Sequence, residues 1–207
     1  MLDYILEVFP TMSLIISEES EYSYDIEAVS ILADIASRTV SDEQFAKDTA
    51  IVVQSAVQYV LDGEEHIDNL EGCEKTQLGT KVEKRWLKRY GFPIKRTAPA
   101  RKRILERTGE TYQNPALDTV IGSVDVDIKH TIGDNWMIPR EAVNRWCLLF
   151  RTDYTHQTYD LGLLKMADAH LTEGCNQDKK RSVSAEGKKH IYWIVRNYSL
   201  PEAGKIM

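Results

Sequence analysis

Cysteine, long apolar runs and an N-terminal basic segment are scarce or missing in this chain of 207 residues. Its three cysteines, Cys73, Cys147 and Cys175, form no Cys-x-x-Cys pair, which argues against a disulfide framework and a structural zinc site. No apolar run is long enough to span a membrane. The first ten residues carry no Lys or Arg, unlike a secretory signal peptide. These absences predict a reduced, cytoplasmic protein.

Positive charge is nearly missing from the first third of the chain. Residues 1–72 contain 16 Asp and Glu against two Lys and Arg, whereas residues 73–207 contain 24 Lys and Arg against 16 Asp and Glu. Within residues 75–107, twelve basic residues accompany two acidic ones. The net charge of −6 alone disfavours nucleic acid as a partner, but so basic a stretch is typical of a phosphate-binding surface. A solvated helix and loop is the alternative.

The acidic part is predicted to be helical and to form a separate N-terminal segment, residues 1–72, that caps the main domain or makes a dimer. Residues 26–38 place Ile26, Val29, Leu32 and Ala36 on one helical face. A second helix follows Ser41, a plausible N-cap with Gln44 three residues later, and is predicted to end at Gly63 with Tyr59 on its apolar side. The remaining residues, 73–207, are predicted to form the core domain.

A third helix is predicted over residues 78–90, with Val82, Trp86, Leu87 and Tyr90 on its apolar side. Glu83 lies beside these residues, and a carboxylate on an inward face needs a partner because an unpaired buried charge is costly. A metal ion is one such partner. The alternative is a capping box formed by Thr80 and Glu83.

The rest of the chain favours an α/β fold. Residues 93–116 predict an exposed basic loop with a short helix near 99–107, and residues 146–151 and 191–196 predict strands. Residues 160–171 between those strands predict a helix. This order indicates a central mixed β-sheet flanked by helices.

The most informative segment is residues 117–130, LDTVIGSVDVDIKH, which predicts a β-hairpin. A type II′ turn at Gly122-Ser123 pairs residue 121 with 124, and by the same register Asp118 with Asp127. Opposed carboxylates repel each other, but together they suit Mg²⁺, and Lys129 projects from the same face. The alternative is a surface hairpin on which Asp125 pairs with Lys129.

Asp118 and the Asp127-Ile128-Lys129 tripeptide resemble the signature of the PD-(D/E)xK nucleases, although Pro115 lies three residues before Asp118 and not beside it. A narrower resemblance is to the endonuclease domain of the NaeI-type restriction enzymes. It rests on residues 74–80 (EKTQLGT) leading into Glu83, 124–129 (VDVDIK), 136–142 (WMIPREA), 147–149 (CLL), and Asn176, Asp178, Lys180, Arg181, Ser184 and Gly187. The resemblance implies a restriction-endonuclease-like core and Mg²⁺-dependent hydrolysis of double-stranded DNA at a specific sequence.

The resemblance and the hairpin together imply roles for individual residues. Asp118, Asp127 and the Ile128 carbonyl would hold Mg²⁺, Glu83 would be a further ligand, and Lys129 would orient and activate the attacking water. Two groups of residues are expected to contact DNA. The upstream group is Lys95, Arg96, Arg101, Lys102 and Arg103, and the downstream group is Asn176, Lys179, Lys180, Arg181 and Lys188. A homodimer matching a palindromic site is expected.

Two further expectations concern the histidine and tryptophan side chains. His130 should point away from the metal by strand alternation, and the histidines show no ligand spacing, so a His-metal nuclease is disfavoured. Trp136 lies in a polar loop and is expected near DNA, whereas the other tryptophans are expected in the core.

Two other functions remain open. One is a nicking enzyme of the MutH-like mismatch-repair type, which shares the metal chemistry. The other is a non-catalytic DNA-binding module, against which the retention of Asp118, Asp127 and Lys129 argues.

Overall fold

The computed structural model describes residues 25–61 and 70–202. The helices are α1 (Ile26–Ala36), α2 (Asp42–Leu61), α3 (Gly72–Arg89), α4 (Ala98–Thr108) and α5 (Ala185–Lys189). The strands are β1 (Thr119–Ile121), β2 (Val124–Thr131), β3 (Met137–Ile138), β4 (Trp146–Asp153), β5 (Thr158–Lys165), β6 (Arg181–Ser182) and β7 (Tyr192–Ser199). Among the described helices, none is long and apolar enough to cross a membrane.

The central sheet has five strands in the order β1-β2-β4-β5-β7. Strands β2 and β4 are parallel, and the other neighbouring pairs are antiparallel. A parallel pair needs a crossover connection, and here the connection carries β3, which pairs with β6 as a small second sheet. The predicted α/β class with a mixed central sheet is confirmed, and the architecture is consistent with a restriction-endonuclease-like fold.

Both faces of the central sheet are covered, which explains the apolar run in β4. Trp146, Leu148 and Phe150 pack into the core that contains α1, α2 and α3. Cys147 and Leu149 alternate with them and face a second core beneath the β3–β6 sheet. Helices α1 and α2 therefore belong to the main core of the sheet, while the predicted boundary at residue 72 stays a prediction.

The predicted apolar face of α1 is partly confirmed, because Leu32 and Ala36 are buried and Val29 packs against the core, whereas Ile26 lies outside it. Ile26 is 83% exposed, while Ile31 and Ile35 are fully buried. So many positions of α1 are apolar that two stripes are plausible, and contact with the sheet selects between them.

The N-cap predicted for α2 is confirmed, because Ser41 Oγ accepts a hydrogen bond from Gln44 N at 3.2 Å. Its predicted end at Gly63 lies outside the described residues. Tyr59 is 53% exposed and not in the core; instead the Lys81 ammonium lies 3.8 Å from the centre of its ring.

Helix α3 begins at Gly72, six residues earlier than predicted, and its capping box is formed by Glu71 and Glu74. The alternative capping box of Thr80 and Glu83 is therefore wrong, because both residues lie well inside the helix. The Glu83 carboxylate therefore needs a partner other than a helix cap.

The helix predicted over residues 160–171 was wrong. These residues form most of β5 and a single 3-10 turn, Asp168–His170. Strand β5 lies between two neighbours and is buried on both faces, so its sequence has the continuous apolar character that a buried helix also shows. Gly162 has the close packing of a central position, because a Cβ there would lie 2.3 Å from Ile191 Cγ2.

Candidate active site

The β1–β2 hairpin has the predicted register, with Thr119 opposite Val126 and Ile121 opposite Val124. The predicted turn type was wrong. Both Gly122 and Ser123 have positive φ, +57° and +66°, which is typical of type I′ and not of type II′. Both types close a two-residue hairpin, so the pairing of the strands is unchanged.

Helix α1 holds the tip of this hairpin. Ser30 Oγ donates to Gly122 O at 2.6 Å, and Gly122 N donates to Asp34 Oδ2 at 2.8 Å. A Cβ on Gly122 would lie 2.3 Å from Ser30 O, so a side chain at this position would collide with the helix backbone. The N-terminal acidic helix thus supports the strand pair that carries the candidate site.

Asp118, Asp127 and Lys129 come together at the sheet. Lys129 Nζ lies 2.5 Å from Asp127 Oδ2, 3.8 Å from Asp118 Oδ2 and 3.3 Å from Ile128 O. Ile128 N donates to Asp118 Oδ2 at 2.9 Å, which fixes that carboxylate on the hairpin. The alternative pairing of Lys129 with Asp125 is wrong, because Asp125 Oδ1 accepts from Ala116 N at 3.1 Å and Lys129 pairs with the other two aspartates.

Burial makes this site electrostatically strained. Asp127 is only 4% exposed, and burial, with the neighbouring Asp118, raises its pKa to about 7. Burial lowers the pKa of Lys129, but attraction to Asp127 and Asp118 outweighs that effect, so the pKa is raised and the ammonium stays charged. The thiol of Cys147, 3.9 Å from Asp127 Oδ2, has a pKa well above its usual value because it is buried.

Glu83 reaches the same site from α3. Burial and the repulsion of Asp118 raise its pKa to about 7. Glu83, Ile128 and Lys129 line one cleft of about 550 Å³. Thr76, Gly79 and Thr80 line this cleft too, so a single face of α3 forms its wall.

The donor set fits a hard divalent cation of the Mg²⁺ type. Across residues 25–61 and 70–202, no group of three or more His, Cys, Asp and Glu side chains is arranged to hold a metal. Two carboxylate oxygens and one carbonyl oxygen nevertheless surround the Lys129 ammonium, so this position already accommodates a cation. Mg²⁺ needs only one or two carboxylates, because it keeps several waters and takes phosphate oxygens.

The positions of His130 and Trp136 were also predicted. His130 lies on the helix side of the sheet but lines the same cleft as Glu83 and Lys129, so its direction away from the metal stays a prediction. Its Nε2 lies 3.0 Å from Thr152 Oγ1, and burial lowers its pKa to about 4. The expectation that Trp136 lies near DNA was wrong. Its indole is 2% exposed in the second core, and Nε1 donates to Phe150 O at 2.8 Å.

Comparison with known proteins gives the family. The model of the family described as restriction endonuclease NaeI matches residues 35–205, which include both sheets and the candidate site. The chain belongs to the NaeI restriction endonuclease family. The type II restriction enzyme NaeI of Lentzea aerocolonigenes is 26% identical over 163 residues, 76% of this chain. The chain spans 44% of the length of that relative.

In this NaeI-family chain the upstream basic residues are exposed. Arg101, Lys102 and Arg103 lie on α4, and Arg96 precedes that helix. Lys95 Nζ donates to Ala116 O at 2.6 Å, so this amine is partly used within the protein. Lys95 is thus joined to the segment that enters the hairpin, and Arg96 and the residues of α4 follow it along the chain.

The downstream residues are less uniform. Arg181 is held within the protein: its guanidinium contacts the Asp168 carboxylate and donates to Thr172 O at 2.5 Å and to Leu171 O at 3.2 Å. Asn176 Oδ1 accepts from Lys180 N at 2.9 Å and holds the turn of residues 176–180. These contacts give both residues a structural role, and their contact with DNA stays a prediction.

Three downstream lysines remain candidates for DNA contact. Lys180 lines the active-site cleft, although its amine also lies 3.5 Å from Asp178 Oδ2. Lys179 is exposed, and Lys188 is half-buried in the last turn of α5.

Sequence reasoning missed part of the cleft wall, notably Lys75, Asn135 and Glu141. Lys75 lies one helical turn before Gly79 and two before Glu83, so the helical spacing back from Glu83 was a usable signal. Glu141 lies within the segment at residues 136–142 on which the family resemblance rests. No local pattern pointed to Asn135.

Proposed function

We propose that the chain is a Mg²⁺-dependent type II restriction endonuclease that hydrolyses phosphodiester bonds of double-stranded DNA at a specific sequence. The observation that carries this proposal is the set of oxygens from Asp118, Asp127 and Ile128 around one cationic position at the edge of an open cleft. Membership of the NaeI restriction endonuclease family supports the same conclusion.

The residues divide the chemistry among them. Asp118, Asp127 and the Ile128 carbonyl would hold the metal, with Glu83 as a ligand directly or through water. When bound, Mg²⁺ lowers the pKa of bound water and stabilises negative charge on the phosphate and the leaving oxygen. Lys129, which stays protonated beside the two aspartates, orients the attacking water and holds it by hydrogen bonds from Nζ.

Glu83 also has a role in the cleft before DNA binds. Its raised pKa means that part of the Glu83 population is protonated near neutral pH. Its negative charge is therefore expected to depend on a cation nearby. This keeps the cleft less repulsive to the phosphate backbone than three ionised carboxylates would be.

We propose a homodimer as the active form on a palindromic site, since two-fold symmetry of the protein matches two-fold symmetry of the site. Each protomer would then cut one strand. The N-terminal helices are the proposed contact, through their surfaces that do not pack on the sheet.

The test is cleavage of a panel of plasmid and phage DNA with Mg²⁺, with EDTA, and with Asp127→Ala protein. Discrete fragments that require Mg²⁺ and disappear with the variant would support a sequence-specific endonuclease, and their ends would give the site. Relaxed circular plasmid without linear product would favour the nicking alternative. Salt-sensitive binding without cleavage on unmodified and modified DNA would favour a binding module.

A further inference from the structure

We infer that residues 94–116 form a basic arm that grips the phosphate backbone of the duplex being cut and sets its position relative to Asp118. The inference deepens the proposed function and rests on it. It combines three features: a helix without buried residues, a hydrogen-bonded base below it, and a direct backbone contact from that base to Asp118.

Burial in the core does not stabilise α4, the helix of the basic arm. None of the residues of α4 is buried, and Leu105 is 46% exposed. An isolated helix of 11 residues is marginal in water, because most helical stability in proteins comes from a packed apolar face. Pro99 at its start and Gly109 with φ +73° at its end define the helix locally, but they supply no packing.

The surface of α4 is mostly positively charged. Its basic residues are Arg101, Lys102, Arg103 and Arg107, against one acidic residue, Glu106. The Lys102–Glu106 pair is 3.9 Å apart with both side chains more than half exposed, so it neutralises little. Because these positions lie around most of the helix circumference, like charges repel until an anionic surface binds them.

The base of the arm is closed by side-chain contacts. Tyr112 Oη donates to Ile94 O at 2.6 Å and accepts from Ile94 N at 3.0 Å. Asn114 Oδ1 accepts from Arg96 N at 2.7 Å. These bonds tie the two ends of the arm together, so α4 projects from a defined stem formed by residues 94–96 and 112–116.

The stem is joined to the candidate active site. Lys95 N donates to Asp118 O at 3.1 Å, directly beside the carboxylate that Ile128 N holds. Thr119 Oγ1 donates to Pro93 O at 2.7 Å and fixes the next residue of β1 to the chain that enters the arm. A duplex bound on α4 is therefore tied, through the stem, to the residue that would hold the metal.

The occupant that fits this surface is a duplex phosphate backbone. Basic side chains with little apolar area bind phosphate by Coulomb attraction and counterion release, with no need for a shaped pocket. A second copy of the arm would present the same charge and repel it. An acidic face of a second copy remains an outcome of the experiment.

The first part of the experiment measures charge. Binding of a labelled mixed-sequence duplex is measured against salt concentration without divalent metal, for the intact chain and for an Arg103→Gln, Arg107→Gln variant. The slope of log affinity against log salt is expected to fall by about 1.8, which corresponds to about two phosphate contacts. A Lys47→Gln, Lys88→Gln variant loses the same charge at exposed positions outside the arm, and we expect it to keep the slope close to that of the intact chain.

The second part measures the stem. Tyr112→Phe keeps every charge of α4 and removes the hydroxyl that joins both groups of Ile94, so the salt slope should stay unchanged while single-turnover cleavage falls about tenfold. Asn114→Ala should act in the same direction. Adding Tyr112→Phe to the Arg103→Gln, Arg107→Gln variant should lower the cleavage rate little further, because an arm that no longer binds the duplex cannot position it.

Several results would overturn the inference. Wild-type cleavage with an unchanged salt slope in the arginine variant would remove the basic arm from the DNA surface and leave the proposed function standing. A change of oligomeric state by sedimentation, with an unchanged slope, would make α4 a contact between copies. Additive losses in the combined variant would make Tyr112 a purely structural residue. A wild-type chain that neither binds nor cuts DNA would overturn the proposed function and the arm together.

Discussion

The Lys129 ammonium lies 2.5 Å from Asp127 Oδ2 and 3.8 Å from Asp118 Oδ2. A lysine in this position is both a partner for a buried carboxylate and a stand-in for a metal ion. The ion pair stabilises Asp127, which would otherwise be a buried, desolvated charge.

Asp118→Asn and Asp127→Asn are each expected to abolish cleavage and to leave DNA binding intact or tighter, because an amide is a poor Mg²⁺ ligand and one negative charge facing the phosphate is lost. Gel-based cleavage and binding in the same buffer check both results. Asp125→Asn is the matched control, since it removes one charge from the same strand and keeps an acceptor for Ala116 N. Cleavage retained in both active-site variants would refute the ligand assignment.

Lys129→Gln is expected to slow single-turnover cleavage about 10²–10³-fold, the range for loss of one preorganised hydrogen-bond donor in an active site. Lys129→Arg keeps the charge but presents a rigid planar fork in place of a compact ammonium. We expect this variant to be nearly as slow, because the guanidinium would not hold the attacking water in the same position. An arginine variant close to wild-type rate would show that charge alone is required.

Glu83→Gln is expected to raise the Mg²⁺ concentration needed for half-maximal cleavage and to lower the maximal rate by less. The reason is that Asp118, Asp127 and the Ile128 carbonyl still bind the metal while the contribution from α3 is lost. A Mg²⁺ titration of the cleavage rate measures both quantities. Thr80→Ser, on the same helix face, serves as the control, and an unchanged titration curve for Glu83→Gln would exclude it as a ligand.

Gly122→Ala is expected to lower the free energy of unfolding by about 2 kcal/mol or more, because the new Cβ meets Ser30 O and the backbone has positive φ. Urea unfolding measures the change. Gly133→Ala is the control, since a Cβ there meets nothing within 4 Å. Equal stability of the two variants would mean that α1 does not hold the hairpin tip.

Arg181→Met is expected to lower the melting temperature without changing the salt dependence of DNA binding, because its guanidinium is bonded to Thr172 O, Leu171 O and Asp168. Lys180→Met should do the reverse, since Lys180 lines the cleft. Thermal unfolding and salt titration of both proteins distinguish the roles. A reduced salt slope for Arg181→Met would instead support contact of this residue with DNA.

The hairpin shows how far local pattern alone can go. Alternation over residues 124–129 and a two-residue turn specify one register, so the closeness of Asp118 and Asp127 followed by counting. The choice between types I′ and II′ was not specified, because both accept glycine at the first position of the turn. Its contact with α1, about 90 residues away in sequence, left no mark on either segment.

The errors share a cause. Residues 160–171, the position of Ile26 on α1 and the burial of Trp136 were each misjudged where a segment is apolar or polar on all sides, so that periodicity does not select a direction. In each case the position in the sheet or the second core decides, and that position depends on contacts made by distant parts of the chain.

The sequence by itself determined the class of chemistry: the charge asymmetry, the strand alternation and the Asp118, Asp127 and Lys129 spacing all depend on neighbouring residues. Only the tertiary structure decided which groups join them. It placed Glu83 of α3 on the same cleft as Lys129, bonded the half-buried Arg181 guanidinium to carbonyls of the protein, and tied the basic arm to Asp118 through Lys95. Those relationships are set by packing between segments far apart in sequence, for which local propensity carries no information.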